Sequence, residues 1–146
     1  MSDEMSLNEA IHNCRAMRRL ESREVPEADL LYLIDAANQA PSGSNSQKAR
    51  WVVVRDAGQK QKLADLNRKH AEPYIAPQRA NPPSEKHKRL VDAVVWQMDH
   101  MHEIPALIVA CFDYPEKAEG LGVYRSAGSV WPGIQNLLLA ARSLGL

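Results

Sequence analysis

The chain has 146 residues, enough for one domain with a buried core, and 45% of them are apolar. Its 18 basic and 18 acidic side chains cancel to zero net charge, without the basic excess that a nucleic-acid footprint requires, so no nucleic-acid partner is expected. No apolar run reaches the roughly 18 residues of a membrane span, the start of the chain lacks the apolar stretch of a signal peptide, and Cys14 and Cys111, the only cysteines, read as reduced thiols of a cytoplasmic protein with no membrane partner.

Ser6 with Glu9 three places on forms a capping-box pattern, which predicts a first helix from residue 7 to about residue 17. The basic cluster Arg15, Arg18 and Arg19 then stands at the C-terminal end of that helix. It is either a favourable interaction with the helix terminus or, through the planar fork of arginine, a clamp for phosphate and carbonyl groups. Pro26 opens a second helix with Glu27 and Asp29 in its first turn, where the dipole favours acids. Leu30, Leu31, Leu33, Ile34, Ala37 and Ala40 give it an apolar face, and Pro41 stops it.

Pro41-Ser42-Gly43-Ser44-Asn45-Ser46 is a loop by composition. It is a plain connector or a surface of backbone N–H groups and hydroxyls that a ligand can approach closely at Gly43. The run from 51 to 54 is β-branched and aromatic, a buried strand. Asp56 with Gln59 caps a short helix expected to end near Asn67. Residues 70 to 83 hold four prolines and are expected to form a long, mobile excursion. Ser84 starts a further helix whose buried face is Leu90, Val91, Val94, Val95, Met98 and Met101; Pro105 ends it, and 106 to 112 is a second buried strand.

After a linker over 114 to 124, the segment Arg125-Ser126-Ala127-Gly128-Ser129-Val130-Trp131 leads into the most apolar helix, about 129 to 144, with Pro132 in its first turn. Ser129 is either its N-cap or a side chain that faces a planar ligand ring. Gly145 suits its C-cap. Trp51, Trp96 and Trp131 are expected to pack rather than stack on a cofactor. The histidines His12, His70, His87, His100 and His102 lack zinc spacing, since Ala106 stands where an HExxH motif would need its second histidine; no metal is expected. Dinucleotide GxGxxG, Walker and GxSxG motifs are absent too.

Two strands rarely make a stable sheet, and both are apolar on both faces, which calls for cover above and below. The chain is therefore expected to lack sheet partners, supplied by a second chain or by residues beyond Leu146.

Three segments in order carry a family resemblance. Arg15-Ala16-Met17-Arg18-Arg19-Leu20, then Ala40-Pro41-Ser42-Gly43-Ser44-Asn45-Ser46-Gln47 with Trp51-Val52-Val53-Val54, and then Gly133-Ile134-Gln135-Asn136-Leu137-Leu138-Leu139-Ala140-Ala141 with Leu144-Gly145-Leu146, resemble the motifs of the nitroreductase family of FMN enzymes. The resemblance runs along nearly the whole chain. It implies an α+β fold, with a central, mainly antiparallel sheet flanked by helices and incomplete in this chain, which would be the N-terminal portion of one FMN-binding domain. It implies a homodimer with FMN at the interface, NADH or NADPH as electron donor, and a nitroaromatic or quinone-like small molecule as acceptor in a ping-pong reaction. No protein residue need be catalytic, because flavin N5 carries the chemistry.

By the same resemblance, Arg15 helps hold the phosphate or ribityl chain, and the neighbouring Ala16 and Arg19 belong to the cofactor-binding set. Arg18 faces the N1/O2 edge of the flavin. Pro41, Ser42, Gly43 and Asn45 contact FMN from the partner subunit, and Ser129 reaches the flavin. Ser44 offers a backbone N–H to substrate, and Tyr74 belongs to a substrate lid. The same fold carries reductive dehalogenases of the iodotyrosine deiodinase kind, for which Tyr74 with Lys86 or Lys88 would hold a zwitterion. A non-catalytic remnant is the third reading. Two departures stand out: Cys14 and Ala16 replace an arginine and a serine common in the family, and Lys48-Ala49-Arg50 replaces the usual proline-aromatic pair.

Overall fold

The computed structural model describes residues 5–114 and 127–146. The expected linker beyond Tyr114, with Arg125 and Ser126, lies outside the described residues. The chain divides into two compact units, the first made of Met1–Arg15, Val25–Val53 and Ile108–Leu146, the second of Ala16–Glu24 and Val54–Leu107.

In the first unit, helix α1 spans Leu7–Asn13, and the Ser6 hydroxyl accepts the Glu9 N–H at 3.2 Å as the capping pattern predicts. It stops short of residue 17. The Asn13 carboxamide donates to the Glu9 carbonyl at 2.9 Å, and Cys14 turns to extended backbone at φ −67°, ψ 122°. A side chain that competes for helix carbonyls favours such an end. The basic cluster consequently lies on non-helical chain, not on a helix terminus.

Helix α2, Glu27–Asn38, buries Leu30, Leu33 and Ala37, while Leu31 points outward and is 59% exposed. A helical turn of 3.6 residues puts 30, 33 and 37 on one side and swings 31 off it. Strand β1, Ala49–Val54, pairs with β2, Leu107–Phe112, in a two-stranded sheet. The Asp113 N–H donates to the Lys48 carbonyl at 2.8 Å, so the end of β2 lies beside the start of β1 and the pair is antiparallel. No residue of either strand is fully buried, and Val52 is 49% exposed.

The last helix, here α5, spans Val130–Ser143 and packs against α2 and α1. Pro132 sits in its first turn, where a missing N–H costs nothing. Gly145, at φ +75°, closes it: its N–H donates to the Arg142 carbonyl at 3.1 Å and that of Leu146 to the Ala141 carbonyl at 3.0 Å. Those two bonds define a Schellman cap, which requires the left-handed backbone that glycine adopts without strain.

In the second unit, helix α3 runs over Ala57–Ala80, with the Asp56 carboxylate accepting the Gln59 N–H at 2.8 Å. It does not stop at Asn67, and the expected excursion over 70–83 is helical through Ala80 despite Pro73 and Pro77. An interior proline costs about 3 kcal/mol or more. Against that, the extension buries Ile75 with Val91 and Met98, backed by Ala71, Val94 and Val95. Tertiary packing overrides the local preference. Both prolines face outward.

Helix α4, Glu85–His100, starts where Ser84 accepts the His87 N–H at 3.1 Å. Its inner face is as expected except at Leu90, which is 59% exposed. Met101 belongs to the short 3-10 turn Met101–Glu103 rather than to the helix. Arg68 ties α3 to α4 by donating to Asp99 at 2.6 Å and to the Met98 carbonyl at 3.2 Å, and the Asp99 hydrogen bond holds its pKa above the ordinary arginine value.

Candidate active site

The 41–47 loop is built on strain that its own hydrogen bonds hold. Ser44, Asn45 and Gln47 all have positive φ, at 53°, 52° and 47°. Such backbone costs of order 1 kcal/mol or more per non-glycine residue and persists only where the surroundings over-determine it. Here the Ser42 hydroxyl accepts the Gln47 N–H at 3.0 Å, and the Gln47 carboxamide donates to Asn45 Oδ1 at 3.1 Å. The Asn45 N–H returns to the Ser42 carbonyl at 2.9 Å and that of Ser46 to Gly43 at 3.1 Å. Pro41, Gly43, Ser44 and Asn45 remain exposed.

Ser129 stands at the N-cap position of α5. It makes no cap bond to α5. Its hydroxyl accepts the Gly43 N–H at 3.1 Å, across 86 residues of sequence. A Cβ at Gly43 would stand 3.4 Å from that oxygen, an ordinary contact, so hydrogen bonding rather than space explains the close approach.

Loop and helix border a cleft of about 460 Å³ within the first unit, a size ordinary for a ligand site. Ser42, Gln47 and Ser129 supply polar groups; Trp51 and Phe112 supply aromatic ones. The Trp51 indole N–H donates to Asn38 Oδ1 at 2.9 Å, which fixes the ring. Gly133 allows that ring its place, since a Cβ there would stand 3.0 Å from Trp51 Cζ2 and 3.0 Å from the Ala37 carbonyl oxygen. Arg50 donates to the Gln47 and Ala49 carbonyls, both at 2.9 Å, and pairs with Asp113 at 3.2 Å, so it fastens the loop's exit to the sheet.

Of the residues expected at a site, Ser42 and Ser129 line this cleft, and Gly43 is bonded to Ser129. Arg15 belongs to the same unit, exposed, with its guanidinium donating to the Cys14 carbonyl at 2.7 Å. Ala16, Arg18, Arg19 and Tyr74 belong to the second unit. There Arg18 borders a small pocket with Ser22, Trp96, His100 and Glu103; Ala16 and Arg19 are exposed; Tyr74 stands on α3 at 73% exposure. Trp51 packs as expected and Trp96 stacks on His100 with centroids 4.1 Å apart, but Trp131 is 69% exposed and packs little. Asn38, Lys48, Arg50 and Gly133 were not foreseen as cleft residues. An Asn at the end of an otherwise apolar helix face was the one signal for the first of them.

Comparisons with known proteins agree on a family. The model described as the Nitroreductase family matches residues 11–146. An iodotyrosine deiodinase of Thermotoga neapolitana is 28% identical over 90% of the chain and 66% of its own length. A protein of Methanothermobacter thermautotrophicus named putative NADH dehydrogenase/NAD(P)H nitroreductase is 31% identical over 97% of the chain and 58% of its own length. The chain thus spans less than two thirds of these relatives. A crystal structure of oxidized iodotyrosine deiodinase bound to FMN and 3-iodo-L-tyrosine superposes with a TM-score of 0.71 at 25% identity, covering 96% of this chain and 71% of that one.

Proposed function

The chain belongs to the nitroreductase family, and from that premise we propose that it forms part of an FMN-dependent oxidoreductase that passes electrons from NAD(P)H to a nitroaromatic or quinone-like acceptor. The observation that carries this reading is the strained 42–47 loop, held by Ser129 against a polar and aromatic cleft. Strain stored beside a ligand-sized cleft is better explained by binding than by connection. The residues present fit one side of a flavin. Among the described residues the Ser44 N–H has no acceptor and is exposed, as a donor to a ligand must be. Trp51 and Phe112 offer aromatic surface, and Ser42 and Gln47 offer hydrogen bonds.

When bound, FMN would supply the two-electron chemistry, taken from NAD(P)H and given to the acceptor in a second half-reaction. The protein's part is binding and orientation. Arg15 and Arg18 are the cations proposed for the phosphate and for the N1/O2 edge, where positive charge favours the reduced ring. Ala16, Arg19, Pro41, Gly43 and Asn45 complete the proposed contacts, with Ser44 and Tyr74 toward substrate. The proposed assembly is a homodimer with FMN at its interface, and NADH and NADPH are both candidate donors.

Titration with FMN followed by gel filtration tests the reading. A sample that retains flavin absorbance and melts higher with FMN supports it, because a ligand that binds only the folded state raises stability. A colourless sample with an unshifted cooperative melt rejects it for this chain and favours a non-catalytic dimerisation module. A second reading, reductive dehalogenation, is favoured by the deiodinase likeness, by the exposure of Tyr74 and by Lys86 and Lys88 in the first turn of α4. Iodide release from 3-iodotyrosine, without reduction of nitrofurans, would select it.

A further inference from the structure

The C-terminal end of α4, in the second unit, gathers ionisable groups around the half-buried Arg18. Segment Ala16–Glu24 is non-helical chain of the same unit, and at its far end Glu24 pairs with Arg55. Nearer its start, Arg18 and Ser22 meet Trp96, His100 and Glu103 around a pocket of about 20 Å³. That volume takes about one water molecule, so the pocket is a packed contact rather than a ligand site. His100 lies flat on Trp96, with centroids 4.1 Å apart and ring planes inclined by 11°. Its Nδ1 stands 2.8 Å from the Trp96 carbonyl oxygen. A carbonyl only accepts, so Nδ1 carries the proton and Nε2 is the nitrogen that takes up another. Arg18 brings a cation to this pocket and Glu103 a carboxylate, with His102 Nε2 at 3.7 Å from the latter. Asp99, next to His100, is held by Arg68 of α3 at 2.6 Å, and the Lys60 ammonium of α3 donates to the Ile104 carbonyl at 2.8 Å. Within the segment, Arg23 faces Glu21 at 3.8 Å.

We propose that His100 is a pH-sensitive latch for segment Ala16–Glu24: the neutral imidazole lets Arg18 dock beside Glu103, and the imidazolium releases it. The latch belongs to the second unit and needs no flavin, so it holds or fails apart from the oxidoreductase reading. An imidazole changes charge between about pH 5 and pH 8. As pH falls, the new cation on His100 gains from the indole face, from the C-terminal end of α4 and from the Glu103 carboxylate. Arg18 gains only from Glu103, and it then shares that carboxylate with a like charge at the same pocket. The stack therefore stays and the arginine leaves. Glu24 keeps its tie to Arg55, so release frees the Arg18 end of the segment. Both side chains are only half-buried and partly screened, so the released-to-docked ratio should rise about twofold to fivefold.

The whole chain is titrated from about pH 8 to about pH 5.5 and followed by NMR, across the range in which an imidazole charges. Amide shifts of residues 18–22 report docking, with a synthetic 16–24 peptide as the released limit, and the His100 ring protons report its charge. The expected result is that residues 18–22 move toward the peptide shifts with the midpoint of His100, by about a twofold to fivefold change in ratio, while the amides of α4 before Trp96 stay in place. His100→Asn keeps a donor where Nδ1 stands and His100→Phe keeps the stack. Neither can charge, so both variants should stay docked at the acid end. Glu103→Gln should raise release at both ends of the titration. Residues 18–22 that stay still, or that match the peptide already at the alkaline end, overturn the proposal. So does a movement that survives in both His100 variants, or one that His102→Gln abolishes while His100→Phe does not. Loosening of all of α4 at the same midpoint overturns it too, since that is acid unfolding rather than release of a latch.

Discussion

Adding one methyl group at Gly133 tests the packing on which the cleft rests. In Gly133→Ala the new Cβ would lie 3.0 Å from the Ala37 carbonyl oxygen, 3.0 Å from Trp51 Cζ2 and 3.2 Å from Trp51 Cη2. Carbon atoms prefer about 3.5–4.0 Å, so α2 and the indole must each yield by several tenths of an ångström. One of the three atoms is backbone, and the indole is tethered to Asn38 at 2.9 Å, so neither retreats freely. Overpacking of this kind costs about 1–3 kcal/mol. Alanine regains about 1 kcal/mol over glycine through helix propensity. The net expectation is a loss of about 1 kcal/mol, or roughly 2–4 °C in the melting midpoint for a chain of this size. Urea unfolding of Gly133→Ala, Trp51→Leu and the double variant measures it. Part of the cost should vanish in the Trp51→Leu background, because one clashing group is gone while the Ala37 carbonyl remains. A Gly133→Ala protein more stable than its parent, or a fully additive double variant, would refute the close packing of α5 on α2 and Trp51.

Ser129→Ala should leave α5 intact, because Ser129 makes no cap bond, but should cost about 1 kcal/mol through the lost bond to Gly43; hydrogen exchange should quicken at Gly43 while α5 amides stay protected. Pro77→Ala should stabilise the second unit by about 1–3 kcal/mol, since the ring is exposed and the substitution restores a helix N–H; an unchanged or lowered urea midpoint would contradict the helical course of residues 70–80. Met98→Ala should cost about 2–5 kcal/mol, because its 3% exposed side chain is part of the α3–α4 core; a loss below about 1 kcal/mol in the same assay would show that this core is not packed as described.

What the sequence revealed was mostly local. Ser6, Asp56 and Ser84 cap the helices they were expected to cap, and Gly145 closes α5, because each of these devices lies within one turn of chain. The two strands were legible from their β-branched runs. The second half of α3 was not: Pro73 and Pro77 are local signals against helix, and the Ile75, Val91 and Met98 cluster that outweighs them is a tertiary fact. Leu31 and Leu90 were misplaced for a smaller reason, since a leucine one position off the helical stripe looks like its neighbours in sequence. The 41–47 loop could be found by composition, but its three left-handed residues are not glycines and left no signature. Nor could pattern show that Ser129 would turn from its own helix to Gly43.

That bond across 86 residues also sets an order of events. The second unit is nearly continuous in sequence, Val54–Leu107 with one short earlier segment, so α3 and α4 can find each other as soon as they are made. The first unit cannot. Its loop is synthesised early, yet the hydroxyl that fixes it and the helix that supports Trp51 come from residues 129–143, long after. A nascent chain therefore carries residues 41–47 unclamped until residues 129–143 have been made, and the cleft takes shape only after the helices of the second unit have been synthesised.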